Sequence, residues 1–392
     1  MKRTLARVAL MLVATLVALL LAEGAARLAD MRPPAHQLRA VYGVQNKKDV
    51  FLQQWGTDVL MKKSPEGPLR EVRGEFLAGI RFKLCYDVSA GHRRPFMDEA
   101  GCVVIDINDE HLRGPLVPVP KPADTYRIAA VGDSFTFGDG VPYEVTWVHQ
   151  LQQLVQARID GTRDPPAVPA GTTGGPTRVD SVNLGVPGYT IKDVHTYLKY
   201  KGLAYDPDLV VYGLFLNDFF FQGTGEDRQL GAVYQAANGP PEGLASVSVL
   251  YDMYRRGAAK TQLSAMTAQQ YFDAYDEQGE AWETGRRYLR KMVEAVDEWR
   301  VMTKRDIDFV VVIFPVLVNL DGDYPYAGLH EQLHGLLDEF GVRYVDLLPA
   351  YRGQDTPSLW VHPTDHHPNE IGHGLAAWAI DEALADLLPP RD

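Results

Sequence analysis

The run PDLVVYGLFLND, residues 207–218, narrows the folds open to this chain more than any other stretch. An uninterrupted apolar run of strand length, rich in β-branched and aromatic residues, suits a strand buried on both faces, and such strands belong to parallel sheets covered by helices. Similar runs occur at YRIAAVGDS (126–134), VDSVNLGV (179–186), DIDFVVVIFPV (306–316) and VRYVDLLPAY (342–351). Helical periodicity lies between them, in TWVHQLQQLVQARI (146–159) and near 191–203, 281–303 and 326–340, with a last helix from about Asn369 to Leu388. Strand–helix alternation of this kind predicts an α/β domain with a mainly parallel five-stranded sheet, its functional groups beyond the carboxyl ends of the strands.

The remaining boundaries follow from composition. Residues 31–122 are polar and rich in Pro and Gly, with short apolar stretches such as EFLAGIRFKL and CVVIDIN, and read as a small strand and loop region. The prolines of VPVPKPAD (117–124) block helix and central-strand pairing and suggest a linker. Residues 123–392 form the main domain, broken by a Pro- and Gly-rich loop at 161–177 and by an irregular insertion at about 219–280 that reads as short helices. Aromatics in the insertion's QQYFDAYDEQ either pack locally or line a substrate groove. The net charge of -12 argues against a nucleic-acid partner, and the densest basic stretch, RRYLRK (286–291), has acidic neighbours.

At the N-terminus, Lys2, Arg3 and Arg7 precede an uncharged apolar run from Val8 to Ala22. Residues 1–30 therefore read as a signal anchor or a cleaved signal peptide, with the small residues of AEGAA as the cleavage candidate. Charge bias puts every residue beyond about 30 outside the cytoplasm. The protein is expected to be membrane-anchored and to face the periplasm or cell exterior, or to be secreted after cleavage. Glu23 and Arg27, four residues apart, predict a small exposed ion pair. Cys85 and Cys102 fit an oxidising compartment, bridged or as two free thiols.

Four segments near strand ends carry reactive groups. Ser134, in VGDSFTFGDG, follows a strand and is either a nucleophile, with its own N–H as an oxyanion donor, or a helix cap. Gly188, in NLGVPGYT, is either a second oxyanion donor or a plain Pro-Gly turn. Asn217, in FLND, offers a side-chain amide as a third donor, or starts a turn. The loop WVHPTDHHPNEIGH supplies His367 as base and Asp365 as its orienting carboxylate, with His366 as an alternative base. A metal site built from His362, Asp365, His366, His367 and His373 is the rival reading, although the ligand spacing is irregular.

In this order, over about 125–388, the segments resemble the blocks of the SGNH (GDSL-like) hydrolase superfamily. The resemblance implies a flavodoxin-like three-layer α/β/α sandwich and no cofactor. It implies Ser134 as nucleophile, His367 as general base and Asp365 as the acid, with Ser134, Gly188 and Asn217 forming the oxyanion hole. Asp133 resembles a residue that pins the nucleophile turn. Many members place the acid three residues before the histidine, where this chain has Thr364. INDEHLRG (107–114) and SFTFGDGVPYEVTW (134–147) resemble exported bacterial members carrying an N-terminal anchor. The implied reaction is hydrolysis of an ester, an acetyl ester among the candidates, on a small molecule, lipid or glycan. Transfer of an acetyl group to a polysaccharide by the same residues, and a catalytically silent binding protein, are the alternatives.

Overall fold

The computed structural model describes residues 2–35, 39–42, 50–52, 61–62, 69, 72, 74–89, 91–162, 176–220 and 226–389. The stretch 163–175 of the expected Pro- and Gly-rich loop lies outside them. The chain forms two compact units: Met1–Gln37 with Tyr86–His92 and Gln222–Gln269, and Leu38–Cys85 with Arg93–Phe221 and Gln270–Asp392.

The larger unit is built on five strands, β1 (Thr125–Gly132), β2 (Arg178–Gly185), β3 (Leu209–Phe215), β4 (Asp308–Phe314) and β5 (Arg343–Asp346). They lie in the order β5-β4-β3-β1-β2, and every pair is parallel. That is the doubly wound, flavodoxin-like order, so the expected fold class holds. Every residue of β1 and β3 is buried, as the unbroken apolar runs require. The connecting helices are α1 (Trp147–Ile159), α2 (Ile191–Tyr197), α3 (Glu280–Thr303), α4 (Ala327–Glu339) and α5 (Glu370–Ala383). Helix α1 packs on α5, and α2 on α3. A buried Arg158–Asp381 pair, with Nη2–H donating to Oδ2 at 2.9 Å, joins α1 to α5. Helix α5 stops at Ala383, earlier than the expected Leu388, because Leu384 leaves helical geometry.

The order also locates the crevice. Connections from β1 and from β3 leave in opposite directions, so the carboxyl ends of these neighbours flank the switch point at which doubly wound sheets hold their ligands.

Upstream of β1, four short strands form an antiparallel sheet in the order Val50–Leu52, Arg39–Tyr42, Arg81–Cys85, Cys102–Asp106. Cys85 and Cys102 face each other in its register and are disulfide-bonded. Closing a loop of this length stabilises the fold by about 3 kcal/mol through the unfolded chain. The expected linker is tied down: Arg127 donates to the Pro118 carbonyl at 2.9 Å, and Lys121 pairs with Asp208.

In the smaller unit the N-terminal helix runs from Lys2 to Leu28. By length and composition it could cross a membrane, and none of its apolar window is buried. The insertion departs from expectation. Instead of short helices alone it holds a 26-residue helix, Val249–Ala274, preceded by Glu226–Asn238 and the single turn Leu244–Val247. No proline interrupts residues 249–274, and the i,i+4 pair Asp252–Arg256 is buried within it. Arg256 also donates to the carbonyls of Ala237 at 3.3 Å and Gly239 at 2.7 Å.

The Glu23–Arg27 pair exists, at 2.7 Å, yet an exposed surface pair is an incomplete description. Glu23 also accepts from the Val249 N–H at 2.9 Å, the Leu250 N–H at 3.1 Å and the Ser248 hydroxyl at 3.0 Å. A carboxylate there satisfies amides that the first turn of the helix Val249–Ala274 would otherwise leave open.

Candidate active site

The residues after β1 turn at once into a single helical turn, Ser134–Phe137. Asp133 caps it, accepting from the Phe135 N–H at 2.9 Å, and the left-handed Gly138 ends it at φ 77°. Burial raises the Asp133 pKa to about 6, against the opposing pull of the Phe135 amide and the His367 charge. Three strands make room for this turn. Gly132, Gly185 and Gly213 stand in one register across β2, β1 and β3. A Cβ on Gly185 would strike the Phe137 backbone nitrogen, and one on Gly213 would strike the Thr136 hydroxyl. The glycines therefore let the turn sit directly on the sheet edge. Asn183 holds it there, donating to the Thr136 carbonyl at 2.9 Å.

Opposite lies a two-stranded hairpin, Trp360–His362 against Asp365–Pro368. Successive side chains of a strand point to opposite faces, so residues 365 and 367 share a face and residue 366 takes the other. His367 Nδ1 bonds Asp365 Oδ1 at 2.6 Å, and the His367 N–H donates to the same oxygen at 3.2 Å. His367 Nε2 meets Ser134 Oγ at 2.9 Å. Ser134 Oγ also lies 3.2 Å from Asp133 Oδ2. His366 is turned away and stacks on Trp360, with ring centres 3.8 Å apart. Thr364, at the spacing many relatives use for the acid, bonds His362 Nδ1 at 2.7 Å.

Burial disfavours a charged His367, but Asp365, by charge and hydrogen bond, with Asp139 and Asp133 behind it, outweighs that and lifts the pKa to about 9. Ser134 and Asp365 are buried, while the His367 side chain stays about one-fifth exposed at 22%. The Phe135 ring stacks on Phe215 at 3.8 Å and stands 5.5 Å from the His367 ring. Phe215 meets Tyr271 edge-on, so QQYFDAYDEQ packs into the aromatic wall beside the catalytic-type groups.

The expected oxyanion donors stand at the same sheet edge. Gly188 follows β2 in a turn closed by a Tyr189 N–H to Val186 carbonyl bond of 3.1 Å, and its φ of 79° suits the glycine position of a type II turn. It is exposed, and among the described residues no atom beyond its chain neighbours lies within 4 Å of where its Cβ would be. Asn217 is the second residue of the single turn Leu216–Phe219 after β3. Its side-chain oxygen is buried with no hydrogen-bond partner among the described residues. An amide rotated about χ2 exchanges oxygen for N–H, so the same spot can present a donor. Asp218 beside it accepts from the Tyr212 hydroxyl at 2.7 Å, and burial holds its pKa well above the carboxylate range.

The five candidate metal ligands do not converge. His362 is bound to Thr364, His366 is stacked on Trp360, and His373 Nδ1 accepts from the Trp147 N–H at 3.2 Å. Burial, with the Arg113 and His367 charges, lowers the His373 pKa to about 3, so that ring is neutral. Among the described residues no group of three potential ligands stands together.

Two arginines carry weight that the sequence reading assigned to neither. Arg113, in INDEHLRG, is buried and donates to the Phe137 carbonyl at 2.7 Å and to the carbonyls of Gly138 and Val141. It thus closes the C-terminal end of the Ser134 turn, with its guanidinium 4.7 Å above the Phe137 ring. Arg94 reaches the hairpin, donating to Ser358 at 3.2 Å and to the Trp360 carbonyl. Both precede the sheet in sequence and brace the two loops that must meet. Arg113→Met keeps an unbranched apolar stem but loses the guanidinium, so three buried carbonyls each lose one donor. Its unfolding free energy in urea, followed by circular dichroism, is expected to fall by about 2 kcal/mol or more.

A doubly wound parallel sheet with a serine, a histidine and a carboxylate hydrogen-bonded in line at its switch point is the architecture of a hydrolase. The chain belongs to the GDSL-like Lipase/Acylhydrolase family, whose model matches residues 130–375, and it is a hydrolase acting on ester bonds. Among solved structures, a member of the lipolytic G-D-S-L family from Veillonella parvula is 16% identical, covering 67% of this chain and 98% of its own, with a TM-score of 0.36. A variant of an acetyl-xylooligosaccharide esterase from Geobacillus Stearmophilus is 16% identical over 68% of this chain and 97% of its own, at a TM-score of 0.38. A lipase from a goat rumen metagenome is 11% identical over 66% and 97%, at 0.38. The curated proteins contain no match.

Proposed function

We propose that this protein is a serine esterase working outside the cytoplasm, held to the membrane by the helix Lys2–Leu28. The observation that supports the chemistry most is the unbroken line Asp365 Oδ1, His367 Nδ1, His367 Nε2, Ser134 Oγ, at 2.6 and 2.9 Å. Ser134 attacks the ester carbonyl as His367 Nε2 takes its proton, and Asp365 fixes the ring's tautomer and supports its positive charge. The oxyanion is held by the Ser134 N–H, the Gly188 N–H and the Asn217 amide. His367 then protonates the departing alcohol, and a water molecule activated by the same ring releases the acyl group from Ser134. Asp133 holds the turn through the Phe135 N–H, and no cofactor takes part.

The location rests on two observations. Lys2, Arg3 and Arg7 lie before the apolar run, which orients the helix with its far end outside. That far end is also part of the fold, because Glu23 and Arg27 bond residues 247–250. Cleavage within AEGAA would cut into this cap, so the helix is retained.

The chemistry is tested with a fluorophosphonate probe on the purified full-length chain, followed by peptide mass mapping. The expected adduct is on Ser134, with parallel loss of p-nitrophenyl acetate turnover. An unlabelled Ser134 in an enzyme that still turns over the ester would reject the mechanism.

A further inference from the structure

The smaller unit carries an apolar surface that the esterase chemistry leaves unused. Leu28 and Met31, at the outer end of the N-terminal helix, are 92% and 50% exposed. In the same unit Leu244 and Val247 are 60% and 62% exposed, and Tyr251 and Tyr254 are 41% and 73% exposed. Leu244 and Val247 end the single turn Leu244–Val247, while Tyr251 and Tyr254, three residues apart, share a face of the first turns of the helix Val249–Ala274.

These residues are bonded to the end of the N-terminal helix. Glu23 caps the helix Val249–Ala274, Arg27 donates to the Val247 carbonyl, and Arg32 reaches the carbonyls of Ala245 at 3.4 Å and Ser246 at 3.5 Å. Ala26, on the same turn of the N-terminal helix, is buried. The N-terminal helix therefore does not end in a loose tether. Its last two turns are bonded into a ledge with exposed aliphatic side chains and two exposed tyrosines.

We infer that this ledge is a lipid-contacting surface, seated in the outer interface of the bilayer that the helix Lys2–Leu28 spans; it rests on the proposed membrane anchor. The uncharged run Val8–Ala22 is 15 residues and covers about 22 Å at the helical rise, less than the roughly 30 Å of hydrocarbon in a typical bilayer. Leu28, Met31, Leu244 and Val247 continue apolar surface beyond that run. Tyrosines at the level where hydrocarbon gives way to headgroups are favoured because their rings are apolar and their hydroxyls remain hydrated. Glu23 and Arg27 are neutralised locally, Glu23 by amides and by Arg27 at 2.7 Å, and Arg27 by Glu23 and a carbonyl, while Arg32 is bonded to two carbonyls. Pairing of this kind is what a charge near the membrane requires.

Both native cysteines are bridged, which leaves introduced cysteines as specific labelling sites. The full-length chain is reconstituted in phosphatidylcholine vesicles carrying nitroxide-labelled phosphatidylcholine. It bears an environment-sensitive fluorophore at one of Leu12→Cys, Val247→Cys or Tyr254→Cys, all exposed positions of the smaller unit. Labels at 247 and 254 are expected to be quenched by shallow, headgroup-proximal nitroxide roughly twofold or more relative to nitroxide-free vesicles, with the label at 12 quenched by deep nitroxide. If position 12 is quenched while 247 and 254 are not, the anchor stands and the ledge proposal is overturned. If position 12 is unquenched, or lost with a cleaved leader, the anchor reading fails and the proposal fails with it.

Discussion

Ser134→Ala is expected to lower kcat for p-nitrophenyl acetate by about 10⁴-fold or more, with the melting temperature almost unchanged. The large loss arises because the covalent step has no substitute: the neighbouring Thr136 hydroxyl is fully buried and sits against the Val131 carbonyl at 3.4 Å. Removing the nucleophile of a working Ser-His-Asp set leaves only the contribution of the oxyanion donors and substrate binding. The small effect on stability comes from the limited part Ser134 plays in the fold. Its turn is capped by Asp133 through the Phe135 N–H and closed by Arg113 and Gly138, and none of these contacts uses the Ser134 hydroxyl. Steady-state kinetics and a thermal melt on the same preparation check both halves. A variant that keeps its turnover would remove Ser134 from the mechanism, and one that fails to fold would contradict the account of the turn.

The second large effect is expected at Asp365→Asn, and it has two parts. The amide offers an N–H where His367 Nδ1 needs an acceptor, which selects the wrong tautomer, so kcat should fall by about 10³- to 10⁴-fold. The pH dependence should move as well. In the unmodified protein the Asp365 charge is what holds the His367 pKa at about 9 against burial. Because only the neutral ring accepts the Ser134 proton, kcat/KM should climb with pH through that value and level off above it. Without the carboxylate, burial is opposed only by the Asp139 and Asp133 charges, so the His367 pKa falls and the residual activity levels off at lower pH than in the parent. Stability carries the matching sign. A pKa raised on folding stabilises the fold fully below about 6.5, and that gain is lost as pH rises through 9. The variant should therefore melt earlier than the parent at pH 6 and close to it above pH 10. A kcat/KM profile with an unchanged midpoint would refute the assignment of Asp365 as the partner of His367.

How far the sequence could be read depended on the range of the interactions involved. The five strands were legible because each is an apolar run whose meaning is local: β1 and β3 could be buried on both faces only inside a helix-covered sheet. The four reactive segments were legible for a related reason, since doubly wound sheets collect functional groups past their strand ends. Which of His366 and His367 reaches Ser134 is set by the hairpin, which brings His367 to it and turns His366 onto Trp360. The spacing of two between Asp365 and His367, where many relatives use three, could not be judged by counting residues. A spacing of two brings side chains together on a strand, and the hairpin Trp360–His362 with Asp365–Pro368 is the element that brings Asp365 and His367 into contact.

Other features were invisible because they join residues far apart in the chain. Nothing in INDEHLRG announces that Arg113 will reach carbonyls 24 to 28 residues later, or that Arg94 will reach Ser358 across 264 residues. Glu23 and Arg27 looked like a surface pair because their neighbours at 247–250 come from an insertion without a strong pattern. By itself the sequence determined the alternation of strands and helices, the family, and which side chains could do chemistry, since periodicity and short motifs are encoded within a dozen residues. Only the tertiary structure decided which of those side chains meet, how two arginines brace the loops that carry them, and what the end of the N-terminal helix touches. Those outcomes depend on distances across the fold, set by packing of the whole chain rather than by any one segment's own preference.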